Sequence, residues 1–189
     1  MSKVIESLSK EDLSVLTEWD ELPLYLMKSA NNRSDDSKYN SVSFSHVIVP
    51  RWKEWGEPFA VNSNLYYKVH EILSIFCESQ GIKKPSNIFR CALNVTVPID
   101  GEYIADAHVD HPFPHHLVLI YLNDSDGNTV LYQEEYQVGS YTKNIENMCA
   151  VREVSPSKGK ILYVEEGLTY HTARPCTEGY RAVLVITFN

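Results

Sequence analysis

The second half of the chain leaves little choice of secondary structure. After Lys83-Lys84-Pro85 no stretch carries a helical period, and short apolar runs follow one another with turns between them. Ile88 to Val97 and Tyr103 to His108 read as strands. His115 to Leu122 reads as a buried strand, closed by the turn Asn123-Asp124-Ser125-Asp126-Gly127. Asn128 to Tyr132 is a further strand. Lys160 to Val164 follows, then the turn Glu165-Glu166-Gly167, and Tyr180 to Phe188 comes last. Strands bounded by Gly, Pro, Asn and Asp clusters at this density point to a closed or sandwiched all-β core. They can bury their faces as a jelly roll, the double-stranded β-helix form of a sandwich.

The first half is more mixed. Ser9-Lys10-Glu11-Asp12 carries a Ser cap and acids in the first turn, and Leu13, Leu16 and Trp19 then share one face, so a helix is predicted there. Pro23 interrupts it. Leu24 to Ala30 reads as a short helix or a strand, Asn31 to Asn40 as a polar loop, and Val42 to Val49 as a strand. The segment from Pro50 to Pro58 looks irregular, with Trp52 and Trp55 as packing residues. Asn62 or Ser63 caps the clearest helix. Leu65, Val69, Ile72, Leu73 and Phe76 form its apolar stripe, His70 lies beside the stripe, and Gly81 supplies the stop. The chain thus reads as a single domain, mostly β with flanking helices. Residues 1–86 would be helices and loops packing on the barrel, and residues 87–189 the double-stranded β-helix.

Composition narrows the function classes. Apolar residues make up 43% of the chain, enough for an ordinary core. No run of about 18 apolar residues is present, so no membrane span is expected. Met1 to Lys10 lacks a signal-peptide apolar region, which favours a cytoplasmic location. Cys77, Cys91, Cys149 and Cys176 form no Cys-x-x-Cys pair and are expected to be reduced and structural. The net charge of −8 argues against a nucleic-acid partner held by bulk electrostatics.

Chemistry enters at Ala107-His108-Val109-Asp110. In an extended strand, residues i and i+2 point to one face, so His108 and Asp110 could reach one metal ion. A third ligand would have to come from elsewhere in the sheet. Two imidazoles and one carboxylate leave about three octahedral positions open, the arrangement that suits oxygen-activating non-haem Fe(II). From the pair alone, an ordinary loop histidine is the favoured reading.

The order of the following segments adds a resemblance. His108-x-Asp110, Tyr121-Leu122-Asn123, Gly127-x-Thr129, the Gly-x-hydrophobic strand from Gly159, the distal His171, and Arg181 ten residues later are together similar to the 2-oxoglutarate- and Fe(II)-dependent dioxygenases. Within that superfamily they resemble the prolyl-4-hydroxylase-like branch. The likeness spans about Phe89 to Asn189. It implies that His108, Asp110 and His171 ligate Fe(II) and serve as the catalytic centre. It implies that 2-oxoglutarate takes two of the open positions and O2 the last. It also implies that Arg181 pairs in two-pronged fashion with the far carboxylate of the cosubstrate. Halogenases of the superfamily lack the carboxylate ligand, so Asp110 favours hydroxylation. Many members carry Ser or Thr two residues after the Arg to share the cosubstrate's far carboxylate, where this chain has Val183, so a neutral partner for that carboxylate must come from another strand. Asn94 is the first candidate, with Thr96, Tyr103, Tyr121 and Tyr163 behind it.

Asp110-His111-Pro112-Phe113-Pro114-His115-His116 is expected to form the rim of the site, with His111 near substrate. The three added histidines raise the thought of zinc, but the prolines prevent a helix and no Cys lies nearby. Glu134 to Cys149 and Asn31 to Pro58 are candidate lids. Two functions from different classes remain. One is a hydroxylase acting on a peptide, with peptidyl proline as the default, or on a small molecule. The other is a non-catalytic jelly-roll module binding a metal or ligand.

Overall fold

The computed structural model describes residues 2–5, 21–27, 43–98 and 105–189. The helix expected at Ser9 to Trp19, the polar loop of Asn31 to Asn40, and Tyr103 lie outside these residues. In chain order the elements are β1 (Ser2–Ile5), β2 (Tyr25–Met27), β3 (Ser43–Val49), α1 (Leu65–Ser79), β4 (Ile88–Thr96) and β5 (Ala107–His108). They continue with β6 (His116–Tyr121), β7 (Thr129–Glu135), β8 (Thr142–Lys143), β9 (Ala150–Val154), β10 (Ile161–Val164), β11 (Thr169–Ala173) and β12 (Arg181–Phe188).

The strands form two antiparallel sheets. The major sheet runs β1-β10-β6-β12-β4-β3-β2, and the minor sheet runs β8-β5-β11-β7-β9. Three strands from the N-terminal 86 residues therefore join the major sheet, where helices and loops were expected to pack on it. The reason is edge closure. The strands β10 and β4 would otherwise expose unpaired backbone groups, and β1 and β3 cover them.

The central strands β4, β6, β10 and β12 of the major sheet are largely buried on both faces, which is why they read as nearly continuous apolar runs. Alternation sorts their side chains. Cys91, Leu93 and Val95 of β4, Val118 and Ile120 of β6, and Leu184, Ile186 and Phe188 of β12 point outward. There they pack with Val69, Ile72, Leu73 and Phe76 of α1. The expected helix is thus present, with its predicted stripe buried and Gly81 at φ +66° just after its end. Ser63 Oγ accepts from the Leu65 backbone N–H at 3.3 Å at the start. The opposite face points into the sandwich. Leu117, Leu119 and Tyr121 of β6 and Val183 and Val185 of β12 meet Leu131, Val154, Leu162 and Val164. This inner cluster does not fill the space between the sheets. A cavity remains between Arg90, Asn94 and Thr96 of β4, Arg181 of β12, and His108 and His171 of the minor sheet.

Glu134 to Cys149 is not a simple loop. It contains β8, which pairs Ala107 with Lys143 and His108 with Thr142, and the Val109 N–H donates to the Tyr141 carbonyl at 3.1 Å. The segment is stitched to the strand that carries His108. No helix among the described residues is long and apolar enough to cross a membrane.

Candidate metal centre

His108 and His171 lie directly opposite each other on β5 and β11. Their ring centroids are 4.4 Å apart. Asp110 follows β5 by two residues, and one ligand atom from each of His108, Asp110 and His171 lies within 4.8 Å of the others. The two-residue spacing and the cross-strand register together bring the three to one point, as the sequence pattern predicts.

Each side chain is prepared to receive a metal. His171 Nδ1 donates to the Thr169 carbonyl at 3.3 Å, which leaves the Nε2 lone pair toward the cluster. Nδ1 of His108 and Oδ2 of Asp110 are buried without a hydrogen-bond partner. An unsatisfied buried acceptor costs about 1–3 kcal/mol, so Asp110 Oδ2, 3.6 Å from His171 Nε2, fits a cation held between them. Burial pushes both imidazoles below the ordinary histidine pKa, and for His108 the neighbouring His171 adds to it. His171 Nε2 stands 3.6 Å from Asp110 Oδ2. With the imidazole neutral, this is two ligands facing a common point, not an ion pair. Burial alone would raise the Asp110 pKa, but Arg51 and Arg90 outweigh it and hold the carboxyl well below the usual range. The donor set is therefore two neutral nitrogens and one carboxylate, suited to a borderline divalent metal such as Fe(II).

Arg181 occupies the far wall of the same cavity. It is 4% exposed, and its Nη2 donates to Thr129 Oγ1 at 2.9 Å. The Tyr121 hydroxyl also donates to Thr129 Oγ1, at 2.8 Å, and the Arg181 guanidinium carbon lies 5.7 Å from the Tyr121 ring centre. Arg181 Nε has no hydrogen-bond partner. A buried guanidinium with a donor to spare suits an anion, and among the described residues that line this cavity Asp110, at the other end, is the one carboxylate. The cavity holds about 110 Å³. At roughly 10–15 Å³ per water-sized group, that is the scale of a small organic acid.

Asn94 lines the same cavity, and its Oδ1 accepts from Ser45 Oγ at 2.9 Å. The partner of the guanidinium is Thr129, on the opposite sheet. Thr96 lies across from Arg181 in register and lines the cavity too. Of the tyrosines, Tyr121 belongs to this wall, whereas Tyr163 hydrogen-bonds His116 at 3.0 Å and packs under α1.

His111 does not face the site. It is fully buried, with Nδ1 2.9 Å from the Trp52 carbonyl and Nε2 2.8 Å from Thr187 Oγ1. Burial pushes its pKa down to about 3. It is a neutral strut between the two sheets, and the expectation of substrate contact is corrected. His115 is likewise buried, its Nδ1 2.7 Å from the Phe113 carbonyl. Among the described residues, only His108, Asp110 and His171 form a cluster with metal-ligand spacing, so a separate zinc site built on this run is not present.

Two residues escaped the sequence reading. Arg90 Nη1 is 2.6 Å and Arg51 Nη2 is 2.9 Å from Asp110 Oδ1. Arg90 had a signal: it shares the β4 face of Asn94 and Thr96, inside an otherwise apolar strand. Arg51 had none, being an irregular-segment residue 59 positions away. It removes part of the case for Asn31 to Pro58 as a lid, since the described end of that segment grips the metal ligand.

No family model matches the chain, and no curated protein matches it in sequence. Solved structures do match over its whole length. An oxidoreductase of the 2OG-Fe(II) oxygenase family from Burkholderia pseudomallei superposes with a TM-score of 0.71 at 15% identity, covering 100% of this chain and 84% of that one. The fold is that of the 2-oxoglutarate–Fe(II) oxygenases. Within this oxygenase fold, HygX from Streptomyces hygroscopicus, solved with nickel, 2-oxoglutarate and hygromycin B, gives 0.60 at 13% identity over 100% of this chain and 82% of its own. A prolyl hydroxylase from Trichoplax adhaerens, solved with a hypoxia-inducible-factor peptide fragment, gives 0.56 at 14% identity over 99% and 82%.

Proposed function

We propose that this chain is a 2-oxoglutarate- and Fe(II)-dependent dioxygenase that hydroxylates a peptide or small-molecule substrate. The observation that carries the reading is one cavity with unpartnered metal-ligand atoms at one end and an unsatisfied buried guanidinium at the other. His108, Asp110 and His171 hold the metal and form the catalytic centre. Arg181 binds the far carboxylate of 2-oxoglutarate, and Thr129 fixes the guanidinium for it. Asn94 offers a second polar group on the β4 wall. When bound, the iron and cosubstrate supply the oxidative chemistry, in which O2 is consumed, 2-oxoglutarate becomes succinate and carbon dioxide, and a substrate C–H becomes C–OH.

The protein supplies position and dryness. Leu119, Val183 and Val185 line the middle of the cavity and exclude water from the path between the metal ligands and Arg181. The neutral imidazoles present lone pairs instead of protons. Structures that share the fold are bound to a hypoxia-inducible-factor peptide, hygromycin B and nogalamycin RO, which supports a peptide or small-molecule substrate, and peptidyl proline is the first candidate to test.

Anaerobic addition of Fe(II) and 2-oxoglutarate is expected to give a weak visible charge-transfer band, absent in His108→Ala. Succinate release in air, screened against prolyl peptides, amino acids and small amines, identifies the substrate. An intact protein that gives neither band nor succinate is the non-catalytic module instead.

A further inference from the structure

The metal-binding carboxylate is gripped on one oxygen by two cations. Arg90 reaches it from β4, with Nη1 2.6 Å from Asp110 Oδ1. Arg51, just past β3, places Nη2 2.9 Å from the same oxygen and Nη1 3.2 Å from the Asp110 main-chain carbonyl. Both arginines come from the major sheet, and Asp110 belongs to the minor-sheet side, so the grip crosses the sandwich. The carboxylate is 1% exposed, so neither contact is a loose surface pair. Oδ2 is left with no hydrogen-bond partner, 3.6 Å from His171 Nε2.

The two oxygens of one carboxylate are chemically alike, and a divalent cation can draw both into its shell. Here that is opposed twice. The lone pairs of Oδ1 are engaged by charge-assisted donors, the stronger kind of hydrogen bond. A guanidinium on that side also repels a dication that would approach it. We propose that Arg51 and Arg90 are positioning residues that confine Asp110 to one-oxygen metal ligation, and thereby keep a coordination position open for the chelating cosubstrate. The inference rests on the dioxygenase reading above. It implies that the chain gives up metal affinity to keep that position vacant.

The consequence has an unusual sign. Removing a merely structural arginine would loosen the site, and both metal and cosubstrate would bind more weakly. Removing a confining cation lets Asp110 chelate through both oxygens, so metal binds more tightly while 2-oxoglutarate binds more weakly. The full chain is titrated anaerobically with Co(II), whose visible bands report coordination number, and then with 2-oxoglutarate. Arg90→Met and Arg51→Met are each expected to bind Co(II) several-fold more tightly, with altered visible bands, and to need about tenfold more 2-oxoglutarate. Arg90→Lys, which keeps the charge but not the fork, should restore metal affinity toward wild type. Arg51 is the more exposed of the two, so its variant guards against a folding defect at Arg90. Unchanged bands and affinities in both Met variants, or parallel weakening of metal and cosubstrate, overturn the proposal while the dioxygenase reading stands. A wild-type protein that takes up no Co(II) overturns both.

Discussion

His108 and His171 face each other across a single antiparallel pair, at the same register position on β5 and β11. β5 is two residues long, so this pairing and the β8 contact alone define where His108 points. Backbone pairing thus fixes His108 and His171 relative to each other, and Asp110 follows two residues on. His108→Ala and His171→Ala should each weaken Co(II) or Fe(II) binding by at least about 100-fold, beyond the 10–100-fold cost of losing an outer partner. The apoproteins should keep the wild-type far-ultraviolet circular dichroism. Equilibrium dialysis showing near-normal metal uptake by either variant would remove that residue from the site.

Arg181 and its holder should separate cosubstrate from metal. Arg181→Ala is expected to weaken 2-oxoglutarate binding by about 100-fold or more, as loss of a charged pair predicts. Thr129→Val keeps the shape but removes the hydroxyl that accepts from Arg181 and Tyr121. At about 1–3 kcal/mol for a buried group left unpaired, a roughly tenfold loss follows. Calorimetric titration of Fe(II)- or Ni(II)-loaded protein measures both. Equal losses of metal and 2-oxoglutarate would mean the guanidinium has been given the wrong partner.

A glycine sets the position of that guanidinium. A Cβ at Gly127 would lie 2.9 Å from the Arg174 carbonyl and 3.0 Å from Arg181 Cδ. The carbonyl belongs to the backbone and yields poorly, so the Arg181 stem must shift. Gly127→Ala should therefore raise the 2-oxoglutarate requirement several-fold while metal affinity stays unchanged. A variant with wild-type cosubstrate affinity would show that Arg181 tolerates the displacement.

Acid should destabilise the metal-free protein early. His108, His111, His115 and His171 are all held below the ordinary value of 6.5, with burial as the first cause in each. A lowered folded pKa means the unfolded chain binds more protons as pH falls, so stability is complete above about pH 6.5 and declines below it. His111, pushed down to about 3, should alone remove about 2 kcal/mol by pH 5. Asp110 adds a later loss below its ordinary 3.8, because the two arginines hold it ionised against burial. Urea unfolding at pH 7.5 and pH 5 checks this. Equal unfolding free energies at the two values would refute it.

The α1 packing should be separable from the site. Leu73, 1% exposed between α1 and the outer face of the major sheet, should cost about 2–5 kcal/mol on truncation to Ala. Metal affinity at a temperature where the variant is folded should not change. A fall in metal affinity would mean that the outer face supports the ligands.

The sequence carried most of the fold and the centre of the site because both are local. The runs from Ile88 onward announce strands by composition, and the α1 stripe announces its buried face by period. His108 and Asp110 lie two residues apart, so a pattern can hold them. His171 and Arg181 came from the resemblance to the dioxygenases, and β11, the strand that carries His171, was not among the expected strands. What was not legible was pairing between distant segments. Arg51 meets Asp110 through two sheets whose approach no local pattern encodes. Asn94 was the first candidate to share the cosubstrate's far carboxylate with Arg181, whereas Thr129, which holds the guanidinium itself, lies on the other sheet, and alternation within one strand does not reveal it. His111 looked like a rim residue because it sits directly between Asp110 and Pro112. Its burial follows from Trp52 and Thr187, which reach it from elsewhere.

The strand β1 lies beside β10 at the outer margin of the major sheet, four register pairs long, with the Ser2 carbonyl accepting from Arg152 at 2.7 Å. Its partner Ile161–Val164 is buried at every position. Removing these few residues would uncover a short, apolar, unpaired margin, the template on which separate molecules add strand to strand. Trimming the first residues should therefore favour strand-to-strand association between molecules while leaving the His108–Asp110–His171 cluster in place.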